Sequence, residues 1–365
     1  MSWNWELPDW PNFSYDPDRL LKQERQFLLG VGSAFAYLKS IETQEYHQFV
    51  VEILSQEGME SSRIEGEVLD RESLQSSIKQ HFGINTNHSR VGNKEFGMAR
   101  VLCDVFDSFD KPLTHEMLWQ WHLELFKDES HIVDRGKYRT HIEPMQIISH
   151  RYGSSEVFFE APPSKTIPDQ MTAFIDWFNS TKTSESILGR AAIAHVYFES
   201  IHPFEDGNGR IGRVLVEKVL SQGVERPILI AVSKVLEKRR KDYYAALGRC
   251  NHALHVEHWV EFFAEVILKA QEESMNFLYF LIEKSKMLTR LSGQLNSRQE
   301  KALKAFTEDI HDFKGNLRAE NYIAITKTSK ATATRDLMDL VQKGALVKTG
   351  ELRHTRYWLN LSKTF

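Results

Sequence analysis

HPFEDGNGRIGR, residues 202–213, puts a histidine, two acids, three glycines, an asparagine and two arginines into twelve positions. Immediately upstream, ILGRAAIAHVYFESI places Ile187, Ala191, Ala194, Phe198 and Ile201 at the spacing of a buried helical stripe that runs straight into His202. Pro203 stops that helix, residues 205–208 form a polar turn, and from about Gly209 the apolar positions Ile211, Leu215 and Val219 mark a second helix. Gly207, Gly209 and Gly212 spell G-x-G-x-x-G, but a dinucleotide fingerprint needs a β-strand before it, and here a helix precedes. No G-K-[ST] follows, which excludes a Walker A loop.

A glycine-rich loop opening a helix exposes consecutive backbone N–H groups, and the helix dipole adds positive potential, so the loop favours phosphate. Arg210 and Arg213 sharpen this, because cations in a first helical turn oppose the dipole unless an anion lies between them. Their three-residue spacing puts both guanidiniums on one side, suited to neighbouring phosphates. Asp206 supplies a hard carboxylate for Mg²⁺, and His202 is the general base one loop away. Together these groups point to phosphoryl or nucleotidyl transfer, in which catalysis is positioning and charge neutralisation.

The bulk properties are compatible with an enzyme and exclude several other classes. At 365 residues two or three folded units are expected, and 41% hydrophobic with 26% charged residues exclude a disordered or fibrous chain. Two cysteines, Cys103 and Cys250, cannot form a disulfide framework and point to a reducing, cytoplasmic setting. No signal-like start and no run of about 18 apolar residues predict neither secretion nor a membrane span. The net charge of −4 selects no partner.

Along the chain, an aromatic opening with Trp3, Trp5, Trp10 and Phe13 is expected to staple onto the helices behind it. Helices dominate from roughly residue 17 to 126, punctuated by Gly58, Gly66 and NTNHSRVGN at 85–93. Two β-prone runs, MQIIS and EVFFE, flank HRYGSS as a hairpin. Helices return to about residue 290, SGQLNS at 292–297 reads as a linker, and the tail 297–365 carries 13 Lys and Arg against 8 Asp and Glu. Three helices followed by a hairpin is the layout of a winged helix, with Thr332, Thr334 and Arg335 on the helix that would meet DNA.

HPFEDGNGRIGR resembles the signature of the Fic family, H-P-F-x-[DE]-G-N-G-R-x-x-R, and fits it at every specified position. The resemblance covers roughly residues 90 to 285 and implies transfer of AMP from ATP to a Ser, Thr or Tyr hydroxyl of a protein. By that resemblance His202 deprotonates the hydroxyl, Asp206 holds Mg²⁺ on the α- and β-phosphates, and Asn208 contacts the α-phosphate. Gly207 and Gly209 offer backbone N–H groups, and Arg210 and Arg213 bind the β- and γ-phosphates. The hairpin of about residues 145–160, with Met145, Ile147, Val157 and Phe158, resembles the flap that docks a target segment by strand pairing. Tyr243 and Tyr244 resemble the base pocket. Upstream, SSRIEGE fits the inhibitory pattern [ST]-x-x-x-E-[GN] with Ser61, Glu65 and Gly66, implying that Glu65 pairs with Arg213 and blocks the γ-phosphate.

The expected architecture is therefore mainly α: an N-terminal helical domain over 1–85 with an inhibitory helix at about 45–66, a Fic helical-bundle core with a β-hairpin flap over 86–290, and a winged-helix-like domain over 297–365. The expected function is a self-inhibited, Mg²⁺-dependent protein adenylyltransferase in the cytoplasm, using ATP, acting on a protein hydroxyl or on itself, as a monomer or homodimer. Two alternatives stand beside it: a de-AMPylase in which Glu65 positions water, and a DNA-binding regulator whose core senses nucleotide. UMP, phosphate and phosphocholine are also transferred in the family, but G-N-G-R suits a triphosphate better.

Overall fold

The computed structural model describes residues 2–84, 92–151, 154–182, 186–308 and 317–361. The punctuating segment expected at 85–93 lies outside them up to residue 91. The described chain separates into two compact units, residues 1–40 with 46–275, and residues 41–45 with 276–365. The division falls inside a single long helix rather than at the expected linker. Among the described residues no helix is long and apolar enough to cross a membrane.

In chain order the helices of the larger unit are α1 (Leu21–Leu38), α2 (Thr43–Ile64), α3 (Arg71–His81), α4 (Asn93–Ser108) and α5 (His115–Phe126). The hairpin strands β1 (Gln146–Arg151) and β2 (Ser154–Glu160) follow, then α6 (Ile167–Ser180), α7 (Ile187–Ile201), α8 (Asn208–Gly223), α9 (Val232–Lys238), α10 (Arg240–Arg249) and α11 (Glu257–Arg290), whose residues from 276 onward belong to the smaller unit. At the centre lie α7 and α8, each buried on nearly every face: α7 is apolar nearly all round, whereas α8 also buries Arg210, Arg213, Glu217 and Lys218. Ser186 caps α7 by accepting from the Gly189 amide, and Glu24 of α1 accepts from the Ile187 and Leu188 amides at 2.8 and 3.1 Å. That carboxylate satisfies donors the helix start would otherwise leave open.

Gly58 lets α2 close on its neighbours, since a Cβ there would come to 2.9 Å from both Met98 and Leu102 of α4. The aromatic opening packs as expected. Trp10 and Phe13 meet Tyr197 of α7 at 5.3 and 5.7 Å between centroids, and Trp3 stacks on His252 at 4.7 Å and meets Phe159 edge-on at 5.5 Å. Trp5 Nε1 donates to the Glu160 carbonyl at 2.7 Å, so the opening holds the base of the hairpin. Strands β1 and β2 are antiparallel, with a register shift between Ile147 and Ile148, and Met145 sits one residue before β1.

The smaller unit contains α12 (Ser297–Glu308), α13 (Ala319–Thr326), α14 (Lys330–Gln342), β3 (Leu346–Thr349) and β4 (Arg356–Leu359). Strands β3 and β4 pair antiparallel, and Leu317 bridges to Tyr357 as a short third partner. Its core gathers Leu291, Leu303, Leu317, Tyr322, Leu337, Leu340 and Leu346.

Candidate active site

His202 occupies the end of α7 in the left-handed region (φ 51°), where its amide still donates to the Phe198 carbonyl at 3.0 Å. A residue with a Cβ stays there only when its surroundings over-determine it. Arg139 supplies the restraint: Nε donates to the His202 carbonyl at 2.9 Å, and the Arg139 amide donates to the Pro203 carbonyl at 2.9 Å. Arg139 is itself held by Ser164 and the Pro162 carbonyl, at 2.9 and 2.5 Å, and burial brings its guanidinium down to about 10. The His202 ring is 9% exposed, and burial, then the nearby Arg139 charge, push it down to about 4. At neutral pH the imidazole is therefore unprotonated, the form that can accept a proton.

The loop after His202 is closed by Asn208, whose Oδ1 accepts from the Phe204 amide and whose Nδ2 donates to the Phe204 carbonyl, both at 2.9 Å. Phe204 stacks on His122 of α5 at 4.3 Å. Glu205, the first acid of the motif, accepts from the Val133 and Asp134 amides at 2.7 and 3.2 Å and so ties the loop to the preceding segment. Asp206 differs. Its Oδ1 accepts from the Gly207 amide at 2.5 Å, and the side chain is 49% exposed. Gly207 has φ 80°, and a Cβ there would run into the Phe126 ring.

Helix α8 begins at Asn208, and its first two turns carry Arg210 and Arg213, both buried. Arg213 donates from Nε to Ser61 Oγ at 2.8 Å, and from Nη2 to the Ser61 carbonyl at 2.7 Å and to Glu65 Oε1 at 2.8 Å. Burial opposes its charge, yet Glu65 and the groups beside it more than offset that and hold it above the ordinary arginine value. Arg210 stacks over Phe126 at 4.6 Å and donates to Glu67 Oε2 at 2.7 Å. Glu65 and Glu67 reach α8 together because Gly66 turns the chain at φ 84° just beyond α2, with the Glu67 amide returning to the Ser62 carbonyl at 3.0 Å. A Cβ on Gly209 would strike the Glu65 carboxylate, so this anion lies over the N-terminus of α8. The dipole conflict read from the two arginines is thus relieved inside the chain, by two acids.

Tyr243 and Tyr244 do not share an environment. Tyr243 is fully buried with its hydroxyl 2.8 Å from His195 Nε2, whereas half-buried Tyr244 reaches the Ile64 carbonyl at 3.4 Å and is the member of the pair placed toward the end of α2. On the hairpin, Ile147 and Val157 are exposed, while Phe158 packs on Gly248 and its carbonyl accepts from Asn251 Nδ2 at 2.9 Å. Met145 is half-buried and its carbonyl accepts from the Ala161 amide at 2.9 Å. The sheet has two strands, and the Phe158 and Glu160 carbonyls on the outer edge of β2 already accept from Asn251 and Trp5, so an added strand would pair with β1. Among the described residues no cluster of three or more His, Cys, Asp or Glu could hold a metal alone. A single half-exposed carboxylate fits Mg²⁺ nonetheless, because that ion keeps waters and phosphate oxygens as most of its ligands. Sequence reasoning did not find Arg139, Glu67, Glu199 or Glu205. Glu67 carried the clearest signal, a second acid directly after the Glu65-Gly66 pair.

Residues 3–84 match the domain of unknown function DUF4172, and residues 112–220 match the Fic/DOC family. A protein adenylyltransferase Fic of Nematostella vectensis is 36% identical over 117 residues, 31% of this chain and 26% of that one. Protein adenylyltransferase fic-1 of Caenorhabditis elegans is 26% identical over 194 residues, 52% of this chain and 35% of that one. The chain thus spans about a quarter to a third of the length of the curated relatives it matches. Among solved structures, a Fic family protein from Desulfovibrio desulfuricans G20 superposes with a TM-score of 0.57 at 19% identity, covering 97% of this chain and 99% of that one. Fic-1 from C. elegans superposes with a TM-score of 0.52 over 72% of this chain and 74% of that one, at 19% identity. With the motif complete, its loop closed around Asn208 and the mainly helical fold shared with these structures, the chain carries a Fic domain behind a DUF4172 domain.

Proposed function

We propose that this chain transfers AMP from ATP to a protein hydroxyl and that Glu65 holds it inactive. The observation that carries the reading is the pair of arginines on the first two turns of α8, buried and matched to carboxylates that occupy an anion site. When Glu65 withdraws, Arg213 and the α8 N-terminus are left to a polyphosphate, with Arg210 beside them. The target oxygen attacks the α-phosphorus, the bond to pyrophosphate breaks, and the hydroxyl proton passes to His202 Nε2. Asp206 would hold Mg²⁺, which would supply neutralisation of phosphate charge. Asn208 keeps the loop closed, and the edge of the hairpin, with Ile147 and Val157 outward, takes an extended target segment as an added strand. Tyr244 lines the base end of the site.

The test is incorporation of label from α-labelled ATP into the chain itself and into lysate proteins. Label is expected with Glu65→Gly and none with Glu65→Gly/His202→Ala. Transfer retained without His202 removes the base assignment, and no transfer by either variant removes the reaction.

A second reading concerns the smaller unit and is supported by how α14 distributes its charge. Its two acids are both engaged: buried Asp336 is bound by Arg298, Tyr322 and Asn296, and Asp339, 42% exposed, by Lys343 and Gln299. Its outward side keeps Lys330, Thr334 and Arg335, exposed, with Lys327 on the preceding turn. A helix face that carries Lys330 and Arg335, with its acids already paired, beside the β3–β4 hairpin suits the major groove of duplex DNA, as a winged helix does. Anisotropy of the full chain on a labelled 30-base-pair duplex, read across a salt series, should show binding that weakens with salt and is lost in Lys330→Glu/Arg335→Glu; no binding at low salt refutes it.

A further inference from the structure

We infer that Glu199 is a positioning residue for His202, its carboxylate taking the Nδ1 side of the imidazole so that Nε2 is the proton acceptor, and that Glu65 governs this contact from across Arg213. The inference rests on the AMP-transfer reading of the site. Glu199 stands on the last turn of α7, nine-tenths buried. Its Oε2 lies 3.8 Å from His202 Nδ1, and its own carbonyl oxygen lies 3.4 Å from the same nitrogen. Oε1 points at Gly212, where a Cβ would come within 2.6 Å, and finds no hydrogen-bond partner among the described residues. Arg213 Nη1, in the same cluster, also finds none.

A buried carboxyl oxygen and a buried guanidinium nitrogen without partners are costly to keep unless another state of the site uses them. The charged and titratable groups facing the cluster are Glu65 from α2, Arg213 from α8, Tyr243 and Tyr244 from α10, and His195 one turn back on α7, whose ring meets the same point of Gly212 as Glu199 Oε1; Arg139 lowers His202, and Glu65 and Asp206 raise it. While Glu65 is in place, burial and then the Glu65 charge raise Glu199 to about 8, with Arg213 pulling the other way. Glu199 is then protonated at neutral pH, and His202 has no anion at Nδ1. Withdrawing Glu65 removes the like charge, and Arg213 can turn Nη1 to the Glu199 carboxylate while Nη2, which Glu65 had held, is left to phosphate, so Glu199 ionises. An ionised Glu199 holds the Nδ1–H and makes Nε2 the stronger base, the logic of a carboxylate behind a catalytic imidazole. One movement of Glu65 therefore clears the phosphate site and strengthens the base.

The experiment follows the His202 ring by NMR titration of the full chain labelled at histidine, its signal assigned by loss in His202→Ala. Native chain is compared with Glu65→Gly, Glu65→Gly/Glu199→Gln and Glu65→Gly/Glu199→Asp, and AMP transfer is measured on the same samples. Glu65→Gly also removes a charge that raises His202, so the Glu199 contribution is read within that background, where Glu199→Gln should lower the His202 midpoint by about one pH unit and Glu199→Asp should lower it by less. In the Gln variant kcat should fall roughly tenfold or more with KM for ATP unchanged, and the acid limb of the rate profile should move to lower pH. A merely structural Glu199 would lower the active fraction and leave both the limb and the midpoint in place. The same His202 midpoint in Glu65→Gly and Glu65→Gly/Glu199→Gln overturns the inference. The titration needs no turnover, so it decides the matter even if AMP transfer itself is not found.

Discussion

Replacing Glu65 by glycine should make the chain less stable and a better nucleotide binder at once. The Arg213 side chain is 1% exposed and shares its guanidinium between Glu65 and Ser61. Breaking a fully buried ion pair by removing one partner costs about 3–5 kcal/mol. Glu65 is 29% exposed, and both Ser61 bonds survive, so screening and the remaining contacts bring the cost to about 1–2 kcal/mol. For a folded unit of this size that is a fall in Tm of about 2–8 °C. The same 1–2 kcal/mol no longer opposes the γ-phosphate, which corresponds to ATP binding about 5- to 30-fold tighter. Thermal denaturation with and without ATP and Mg²⁺, beside calorimetric titration of ATP, reads both quantities. The variant should start below the native chain and gain more from nucleotide. An unchanged Tm together with unchanged ATP affinity would refute the reasoning, because it would mean that Arg213 is indifferent to its partner.

The remaining predictions concern the same loop. Glu67→Ala frees Arg210 while leaving its stacking on Phe126, so ATP affinity should rise about two- to fivefold in the same titration. Asn208→Ala removes two buried hydrogen bonds to the Phe204 backbone and should cost about 2–3 kcal/mol in chemical denaturation, with transfer lost even in the Glu65→Gly background. Gly207→Ala forces a Cβ into a left-handed conformation against the Phe126 ring and should destabilise by about 1–3 kcal/mol, whereas Gly32→Ala, with open space around it on α1, should not.

Residues close in sequence were the ones most readily read. The arrest of α7 at Pro203, the start of α8 one residue earlier than expected, and the two hairpin strands all follow from spacing and turn chemistry within about fifteen residues. Arg139 stood in RGKYRTH as one basic residue among several, and only the fold brings it 63 positions forward onto the His202 carbonyl. The role of Glu205 depends on the amides of Val133 and Asp134, which no periodicity reports. Tyr243 shows the converse. A tyrosine pair suggests an open pocket, but the α10 face that carries Tyr243 turns into the core, where His195 takes its hydroxyl. The pairing of Glu67 with Arg210 spans 143 residues and needs the turn at Gly66 to aim it.

The aromatic opening has a consequence for the order of folding. Its contacts with the hairpin and with the far end of α10 join residues separated by 155 to 246 positions, among the longest loops the chain closes. Closing such loops is slow, and it waits until residues near 250 have been synthesised. Helices α7 and α8 and the phosphate loop between them are local by comparison. In a nascent chain the α7–α8 pair and the loop between them can therefore form before the contact of Asn4 with the Cys250 carbonyl, which fastens the opening last.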